Sequence, residues 1–355
     1  MSEIGELIGE NLKQQKARSE TQGLEPGTIS SYFVFGNYKF KIRITKILIE
    51  QQNIGGDTLV WGNSVFGVWG SFKWGSAANQ SFILGNPYAG VLGTSPLGSQ
   101  VSSYSTVEEL ILNQTIPTIA REEIAKWLAG QSADYPTHMA LGTGTTAYSE
   151  DDTALETEIA RKTISYDVST SKTVEYILEI LSTDTTYHSD TFREVGLFNA
   201  SSNGELFARK VISALNMDPS TNTRITITQE LSDFSQGQAL MTTAGLNEIR
   251  DWLGGESATA PTHCAWGTGT TAVDASDTTL EGEQERNAFI TTSRTDNITS
   301  FESILLKTEA NGSDITKSGL FNAASSGDLF CETKFGAINK TSLFQVFETD
   351  RITVL

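Results

Sequence analysis

The feature that most limits how this chain can fold is an internal duplication with a period near 125 residues. The motif Gly-Thr-Gly-Thr-Thr-Ala at 142–147 recurs 125 positions later, at 267–272. Further along, Gly196–Ala200 recurs 123 positions later as Gly319–Ala323, so the second copy is two residues shorter in between. Because solenoid repeats are only ~20–50 residues long, each copy of this tandem repeat is expected to be a domain with its own core.

Each copy is predicted to begin with a short amphipathic helix and to continue as β-strands. In the first copy Ala120, Ile124 and Trp127 follow the 3.6-residue helical period, and Gly130 ends the helix. Three later segments are rich in β-branched and other apolar residues, as strands are: Val174–Ser182, Glu205–Ser213 and Thr223–Leu231. The predicted fold is therefore mainly β, with two tandem homologous β-sandwich-like domains, each opened by a short α-helix.

The domain limits follow from the repeat and from changes in composition. Residues 115–238 form the first repeat domain and residues 239–355 the second, separated in a polar stretch that contains Gly237. The chain before them divides into an N-terminal amphipathic arm, 1–30, and a β region, 31–114, that is rich in glycine and aromatic residues.

The arm and the start of the β region each leave two interpretations open. Ile4, Leu7, Ile8 and Leu12 have helical spacing, so residues 1–20 are either a helix that docks on a partner surface or a frayed tail. Strands on either side of Gly36 and Asn37 predict a hairpin. In the second of these strands Lys39, Lys41 and Arg43 point to one side, where they form either a docking stripe for an acidic partner or a solvated face.

Glycine alternates with aromatic residues between positions 60 and 98. Close glycine spacing breaks long strands and lets backbones approach closely, which suits a tightly wound β arrangement between subunits. Clustered aromatic side chains are more often buried than exposed, so an oligomer's shared core is favoured over platforms that stack on sugar rings. The candidates for oligomerisation and anchoring are Trp61, Phe66, Trp69, Phe72 and Trp74.

The loops that could carry chemistry do not match known catalytic or metal-binding patterns. The Gly-Thr-Gly loop at 142–147 lacks the spacing and the lysine of a phosphate-binding loop, so we interpret it as a repeated turn. Thr153 and Glu156 have the spacing of a helix-capping box, and Glu158 has the spacing to pair with Arg161. Four nearby carboxylates leave calcium binding as an alternative, although no EF-hand spacing is present: Asp151, Asp152, Glu156 and Glu158.

The histidines and cysteines predict no metal site, no cofactor site and no enzymatic activity. His138 and His263 are equivalent in the two copies and are expected to form hydrogen bonds at the start of a strand, and the third, His188, has no counterpart. Cys264 and Cys331 stand where the first copy has Met139 and Ala208, so both are expected to be small apolar core residues. A pair of catalytic carboxylates stays open, since a glycosidase needs only two among 43 acidic residues.

Charge excludes two classes of partner. The chain carries 25 Lys and Arg against 43 Asp and Glu, a formal net charge of −18. Nucleic-acid phosphates and anionic lipid surfaces repel so acidic a protein, so neither is an expected partner. No apolar run approaches the ~18 residues of a membrane span, and no segment has the pattern of a signal peptide. We therefore expect neither membrane insertion nor signal-dependent secretion.

Within the first copy, Glu194–Ala200 followed by Gly204–Ala208 resembles a pattern found in tailed-bacteriophage tail-fibre, tail-collar and related virion proteins. That pattern is Glu-Ile/Val-Gly-Leu-Phe-Asn/Asp followed by Gly-x-Leu. The preceding segment Ala140–Ala147, with Glu158 and Arg161, is similar to the same family. The likeness covers both repeats, about two-thirds of the chain. The residues of the pattern that we interpret as structural are Gly196, Leu197 and Phe198 with Gly319, Leu320 and Phe321.

The resemblance implies a non-enzymatic virion structural protein that is assembled in the host cytoplasm. Its N-terminal third would anchor it to other virion proteins, and its repeats would project for attachment to a host-surface glycan or protein. The resemblance also implies a homo-oligomer, which we expect to be a trimer. A capsid decoration or turret protein and a virion-associated polysaccharide-degrading enzyme are the alternatives. In the second copy Lys317 and Ser318 replace the Glu-Val pair, which puts any shared role of that carboxylate in doubt.

Overall fold

A computed structural model describes residues 28–51, 99–112, 116–235 and 238–355 of the chain. Within these residues, 17 strands and two α-helices form one large sheet and two smaller ones, which confirms the mainly β, sandwich-like fold class. The predicted helix at 1–20 lies outside the described residues.

The elements follow one another in nearly the same order in both repeats. The N-terminal region contributes β1 (Thr28–Gln51) and β2 (Ser99–Leu112). The first repeat contains α1 (Thr118–Leu128), β3 (His138–Gly142), β4 (Glu158–Thr163), β5 (Ser165–Asp167), β6 (Thr173–Ile180), β7 (Thr191–Phe198), β8 (Leu206–Asn216) and β9 (Thr221–Asp233). The second contains β10 (Ala239–Met241), α2 (Thr243–Leu253), β11 (His263–Gly267), β12 (Glu283–Ala288), β13 (Thr291–Thr295), β14 (Ile298–Leu305), β15 (Asp314–Phe321), β16 (Leu329–Asn339) and β17 (Val346–Val354).

The two helices lie where the sequence predicts them. Gly130 and Gly255 follow them with φ angles of 66° and 72°, the left-handed conformation that ends helices and that glycine adopts without strain. At the start of α2 the side chain of Thr242 accepts a hydrogen bond from the backbone N–H of Gly245, which is a standard N-cap. Residues next to the helices therefore determine where both helices end and where α2 begins.

Each repeat divides its strands between a small sheet of its own and the large sheet that both share. The small sheet of the first repeat has the order β4-β3-β7-β8, and that of the second has the order β10-β16-β15-β11-β12. The remaining strands of both repeats enter the large sheet, whose order is β13-β14-β17-β1-β9-β6-β5, with β2 also paired to β1. The repeats are thus two equivalent halves of one sheet, with β1 between them.

Strand β1 connects the two halves through backbone hydrogen bonds. It runs parallel to β17 and antiparallel to β9. The equivalent strands β9 and β17 therefore run in opposite directions on the two sides of β1. Phe35 pairs with Asp233 of β9 and with Val354 of β17, which places these strands on opposite edges of β1. This arrangement relates the repeats by an approximate two-fold axis near the centre of β1.

The predicted hairpin at Gly36 and Asn37 is wrong. Strand β1 continues through both residues, with one irregularity in its pairing between Asn37 and Lys39. A Cβ on Gly36 would lie 2.8 Å from the carbonyl oxygen of Leu355, so this glycine admits a close backbone approach and makes no turn. Pairing with the last strands of both repeats outweighs the local turn signal.

The helices pack across the approximate axis, each against strands of the other repeat as well as against its own repeat, α1 on β8 and α2 on β16. Helix α1 contacts β14 and β17 of the second repeat, and α2 contacts β6 and β9 of the first. The equivalent residues Trp127 and Trp252 stack with ring centroids 5.5 Å apart and planes 20° from parallel. The hydroxyl of Thr299 donates a hydrogen bond of 2.8 Å to the carbonyl of Ala125.

The expectation that each copy has its own core is therefore wrong for the main core. One hydrophobic cluster contains residues of β1, of both helices and of both repeats, and only small satellite clusters belong to a single repeat. Each helix covers the other repeat's strands, so one half alone would leave apolar surface exposed. The described residues make one body built from two interlocked copies.

Candidate functional site

The six glycine, leucine and phenylalanine residues of the repeated motif lie at the ends of β7 and β15. All four of their leucine and phenylalanine side chains are buried. A Cβ on Gly196 would lie 2.8 Å from Leu155 Cδ2, and one on Gly319 would lie 2.7 Å from Leu329 Cδ1. The glycines let other side chains cross the strand at close range.

A repeated arginine contact fixes the loop that follows each motif. The guanidinium carbon of Arg161 lies 3.6 Å from the centroid of the Phe198 ring, and its nitrogens donate to the carbonyls of Ala200 and Asn203. Its Nε and Nη2 donate to Glu158, the pairing that the sequence predicts. Arg286, Phe321 and Glu283 repeat this arrangement in the second copy. The arginine and the phenylalanine of each copy thus fix the conformation of the loop that follows the motif.

In the first repeat a buried carboxylate holds the Gly-Thr-Gly loop in place. Glu194 is fully buried and accepts hydrogen bonds from the backbone N–H groups of Gly144 at 3.0 Å, Glu156 at 3.1 Å and Thr157 at 2.8 Å. It also accepts one at 2.9 Å from Nε of Arg209, which is itself buried. The carboxylate therefore connects β7 to the loop and to β8.

The second repeat reverses the charges of this pair. Lys317 occupies the position of Glu194, and Glu332 occupies that of Arg209. Their charged atoms lie 3.5 Å apart, and Lys317 Nζ also lies 3.6 Å from the carboxylate of Glu281. Burial raises the pKa of Glu332 to about 7, although the charge of Lys317 acts in the opposite direction. The loop is thus held electrostatically in both copies, by opposite arrangements.

The capping box predicted at Thr153 and Glu156 is wrong. Residues 151–157 form no helix, and the Glu156 carboxylate accepts from the backbone N–H groups of Thr145 and Thr146 instead. These hydrogen bonds lower the pKa of Glu156. Asp152 pairs with Arg209 at 2.8 Å, so two of the four carboxylates weighed for calcium binding, Asp152 and Glu156, hold the loop. The Gly-Thr-Gly segment is a loop with a bend at Thr146, which Thr271 repeats in the second copy.

The two equivalent histidines begin strands β3 and β11, as predicted. His138 Nδ1 lies 2.8 Å from the hydroxyl of Thr137, and His263 Nδ1 lies 2.7 Å from that of Thr262. Partial burial lowers the pKa of each, and the nearby arginine of the same repeat adds to this effect. Both histidines favour the neutral state and contribute to the strand starts.

One polar cluster in the second repeat was missed by sequence reasoning. Cys264, Glu348 and Asp350 are all buried, and one ligand atom of each lies within 4.8 Å of those of the other two. Glu348 accepts hydrogen bonds from Trp266 Nε1 at 2.6 Å and from the hydroxyl of Ser318. The available signal was the alternation in β17, where both acids occupy inward positions.

The predicted anchor and oligomerisation residues lie outside the described residues: Trp61, Phe66, Trp69, Phe72 and Trp74. The strands that flank this glycine-aromatic segment are described. Gln51 at the end of β1 pairs with Ser99 at the start of β2. The segment therefore leaves and re-enters a two-stranded ribbon at adjacent positions. On β1 itself Ile42 and Ile44 are buried and Arg43 is exposed, which agrees with the predicted alternation.

Comparison of the chain with protein-family models, with curated proteins and with solved structures finds no match. Among the described helices, neither is long and apolar enough to cross a membrane.

Proposed function

We propose that the chain is a structural component of a virion, located in a tail fibre, tail tip or spike. It anchors through segments of its N-terminal third and presents the two repeats for attachment to a host-surface glycan or protein. It works as a homo-oligomer, a trimer, through binding alone and without catalysis. The observation that carries the proposal is the pairing of Gln51 with Ser99, which shows that the glycine-aromatic segment connects the two strands of the β1–β2 ribbon.

The described strands favour this function because β1 is part of a body that both repeats build. Strand β1 is bonded to both repeats, so residues 28–51 belong to the body. The proposal assigns anchoring and assembly to the arm and to the glycine-aromatic segment. A body with interlocked halves suits a protein that must carry mechanical load, since it cannot separate into two domains.

The sequence resemblance to phage tail proteins is a second, independent argument for this function. The residues that carry it perform equivalent structural tasks in both repeats: the glycines admit crossing side chains, and the arginines hold the following loops. Buried charges in the motif regions pair with one another, which is the pattern of a scaffold.

The assembly part of the proposal is tested by removing the glycine-aromatic segment. Because Gln51 and Ser99 are paired, an Asn-Gly turn can replace residues 52–98 without altering the ribbon. Light scattering is expected to give a trimer mass for the full chain and a monomer mass for this variant, whose far-ultraviolet circular dichroism is still that of a folded β protein. In the full chain, Trp69→Ala or Trp74→Ala is expected to weaken assembly.

Two results would contradict this assembly. One is a full-length chain that is monomeric at micromolar concentration, and the other is a trimer that survives the deletion. A tryptophan variant that keeps its assembly but loses binding to host glycan would favour the sugar-platform interpretation of the segment.

The alternatives predict different results. A capsid decoration or turret protein would place the label on the head in labelled imaging of particles. A polysaccharide-degrading enzyme would release sugar during prolonged incubation with host envelope, and the absence of any product would remove that alternative.

A further inference from the structure

The second repeat contains a buried polar cluster that the first repeat lacks. Strand pairing aligns the two copies residue by residue, because β9 pairs with β6 in the same register as β17 pairs with β14. Six buried positions that are apolar in the first copy are polar, ionisable or indole-bearing in the second. In chain order they are Met139, Leu141, Leu178, Val195, Ile225 and Ile227, against Cys264, Trp266, Ser303, Ser318, Glu348 and Asp350.

The change is costly unless protonation, hydrogen bonds or a bound cation offsets the two buried charges. The first copy shows that this position in the fold accepts a fully apolar core. Burying two carboxylates costs several kcal/mol per ion unless a cation or hydrogen bonds offset it. Within the described residues neither Glu348 nor Asp350 forms an ion pair, and Asp350 Oδ2 is buried without a hydrogen-bond partner. Arg351, whose charge acts on Asp350, donates instead to the hydroxyl of Tyr32.

From this geometry we propose that Cys264, Glu348 and Asp350 bind one Zn²⁺ ion that stabilises the second repeat. A thiol and two carboxylates supply one sulfur and two oxygen ligands, a set that suits Zn²⁺ better than Mg²⁺ or Ca²⁺. Zinc binds sulfur at about 2.3 Å and oxygen at about 2.0–2.2 Å, so tetrahedral ligand atoms lie roughly 3.5 Å apart. Cys264 Sγ lies 3.7 Å from Glu348 Oε2, and the three ligand atoms lie within 4.8 Å of one another, so they need to close by at most about an ångström.

The surrounding groups complete the site. Trp266 and Ser318 donate to the Glu348 carboxylate and fix its orientation, as the partners of metal ligands commonly do. Two hydroxyls opposite the acids are buried and form no hydrogen bond within the described part of the chain: Ser31, opposite Asp350 in the ladder of β1 and β17, and Ser303, opposite Glu348 in that of β14 and β17. Either hydroxyl can supply the fourth ligand.

The location of the site determines when the metal enters. Its ligands come from β11 and β17, and all three are at most 2% exposed. The ion therefore binds as the sheets close on one another, and its binding free energy adds to folding. It would tie the last strand, which is paired to β1, to the small sheet of the second repeat.

Metal content of the full-length chain tests the site directly. The protein is unfolded in denaturant with chelator and refolded with Zn²⁺, with Co²⁺ or without metal, and bound metal is measured by mass spectrometry. We expect about one Zn²⁺ per chain and a higher midpoint of thermal unfolding than in the metal-free protein. The Co²⁺ form is expected to show thiolate-to-cobalt charge-transfer absorption and the visible bands of tetrahedral cobalt.

Variants separate loss of the metal from loss of the fold. The combination Cys264→Met, Glu348→Ile and Asp350→Ile restores the residues of the first repeat, so it should fold and bind no Zn²⁺. Cys331→Ala, which installs the residue of the first repeat at the other buried cysteine, is the matched control and should keep the full zinc content. Wild-type protein that refolds with well below one equivalent of Zn²⁺ would overturn the proposal. A Co²⁺ form without the thiolate band, or unchanged metal content in the triple variant, would do the same.

Discussion

Replacing Glu194 by methionine tests whether the buried carboxylate holds the first repeat's loop. Methionine keeps a similar side-chain length but cannot accept the four hydrogen bonds from Gly144, Glu156, Thr157 and Arg209. Breaking a buried ion pair from one side costs roughly 3–5 kcal/mol, and each orphaned buried donor adds about 1–3 kcal/mol.

We expect a loss of about 4 kcal/mol for Glu194→Met, of which about 3 kcal/mol comes from the broken ion pair and about 1 kcal/mol from the one buried donor left without a partner, the N–H of Gly144. Two features limit the cost. The loop next to Glu156 is exposed and can hydrate its freed N–H groups, and Arg209 keeps its bonds to Asp152 and to the carbonyl of Thr146. A loss of this size lowers the folding equilibrium constant about a thousandfold.

The assay combines urea unfolding with hydrogen exchange measured by mass spectrometry over residues 142–157. Exchange in this segment is expected to accelerate first, because the loop loses its attachment before the sheets separate. Glu283→Gln, in a partly exposed pair, is the control and should cost at most about 1 kcal/mol. Adding Arg209→Met to Glu194→Met should recover part of the loss, because no buried charge is then left unpaired. If Glu194→Met costs no more than the control, the carboxylate does not hold the loop.

Two further predictions concern the interlocked halves and the reversed ion pair. Trp252→Ala removes one ring of the stack across the approximate axis and should cost about 3–5 kcal/mol in chemical denaturation, with both repeats losing structure together. Leu343→Ala, at a side chain that is 83% exposed, is the control and should change nothing measurable, and a Trp252 variant as stable as this control would contradict the packing. The raised pKa of Glu332 means that the folded state holds a proton that the unfolded state has lost between pH 4.5 and 7. Its contribution to stability should therefore fall as pH rises through this window, and Glu332→Gln should lose this component of the pH dependence in thermal unfolding curves. Identical pH dependence in the two proteins would contradict this.

Local structure follows closely from the sequence because local residues determine it. The predicted strands at 174–182, 205–213 and 223–231 correspond to β6, β8 and β9, and the first helix ends at the predicted Gly130. Asn203 and Gly204, residue types that favour a turn, lie between β7 and β8 with φ angles of 53° and 73°. Alternation, helical period and glycine position are properties of neighbouring residues, so they predict the local structure wherever no distant contact overrides them.

The errors occur where distant residues decide the structure. Gly36 suggests a turn, but its role is set by contact with Leu355 at the other end of the chain. Glu156 has capping-box spacing, but the amides of a preceding loop attract its carboxylate. Interlocking of the halves leaves no trace in either repeat, since an apolar helix face does not specify which strands it covers.

The buried cluster of Cys264, Glu348 and Asp350 could be predicted from the sequence only in part. The acids at Glu348 and Asp350 interrupt the apolar side of β17, while the equivalent strand β9 has isoleucine at both positions. Comparing inward positions between the copies would have found the acids from sequence. Their proximity to Cys264 could not be found in this way, because it depends on how the small sheet packs against the large one.

Location of the protein on the virus particle is the most direct test of its proposed function. Particles are decorated with gold-labelled antibody raised against the folded body and imaged by electron microscopy. The account predicts label at the tail fibre, tail tip or spike, in clusters that match an oligomer. Label that is absent from intact particles while the protein is detected elsewhere in infected cells would contradict a virion structural role.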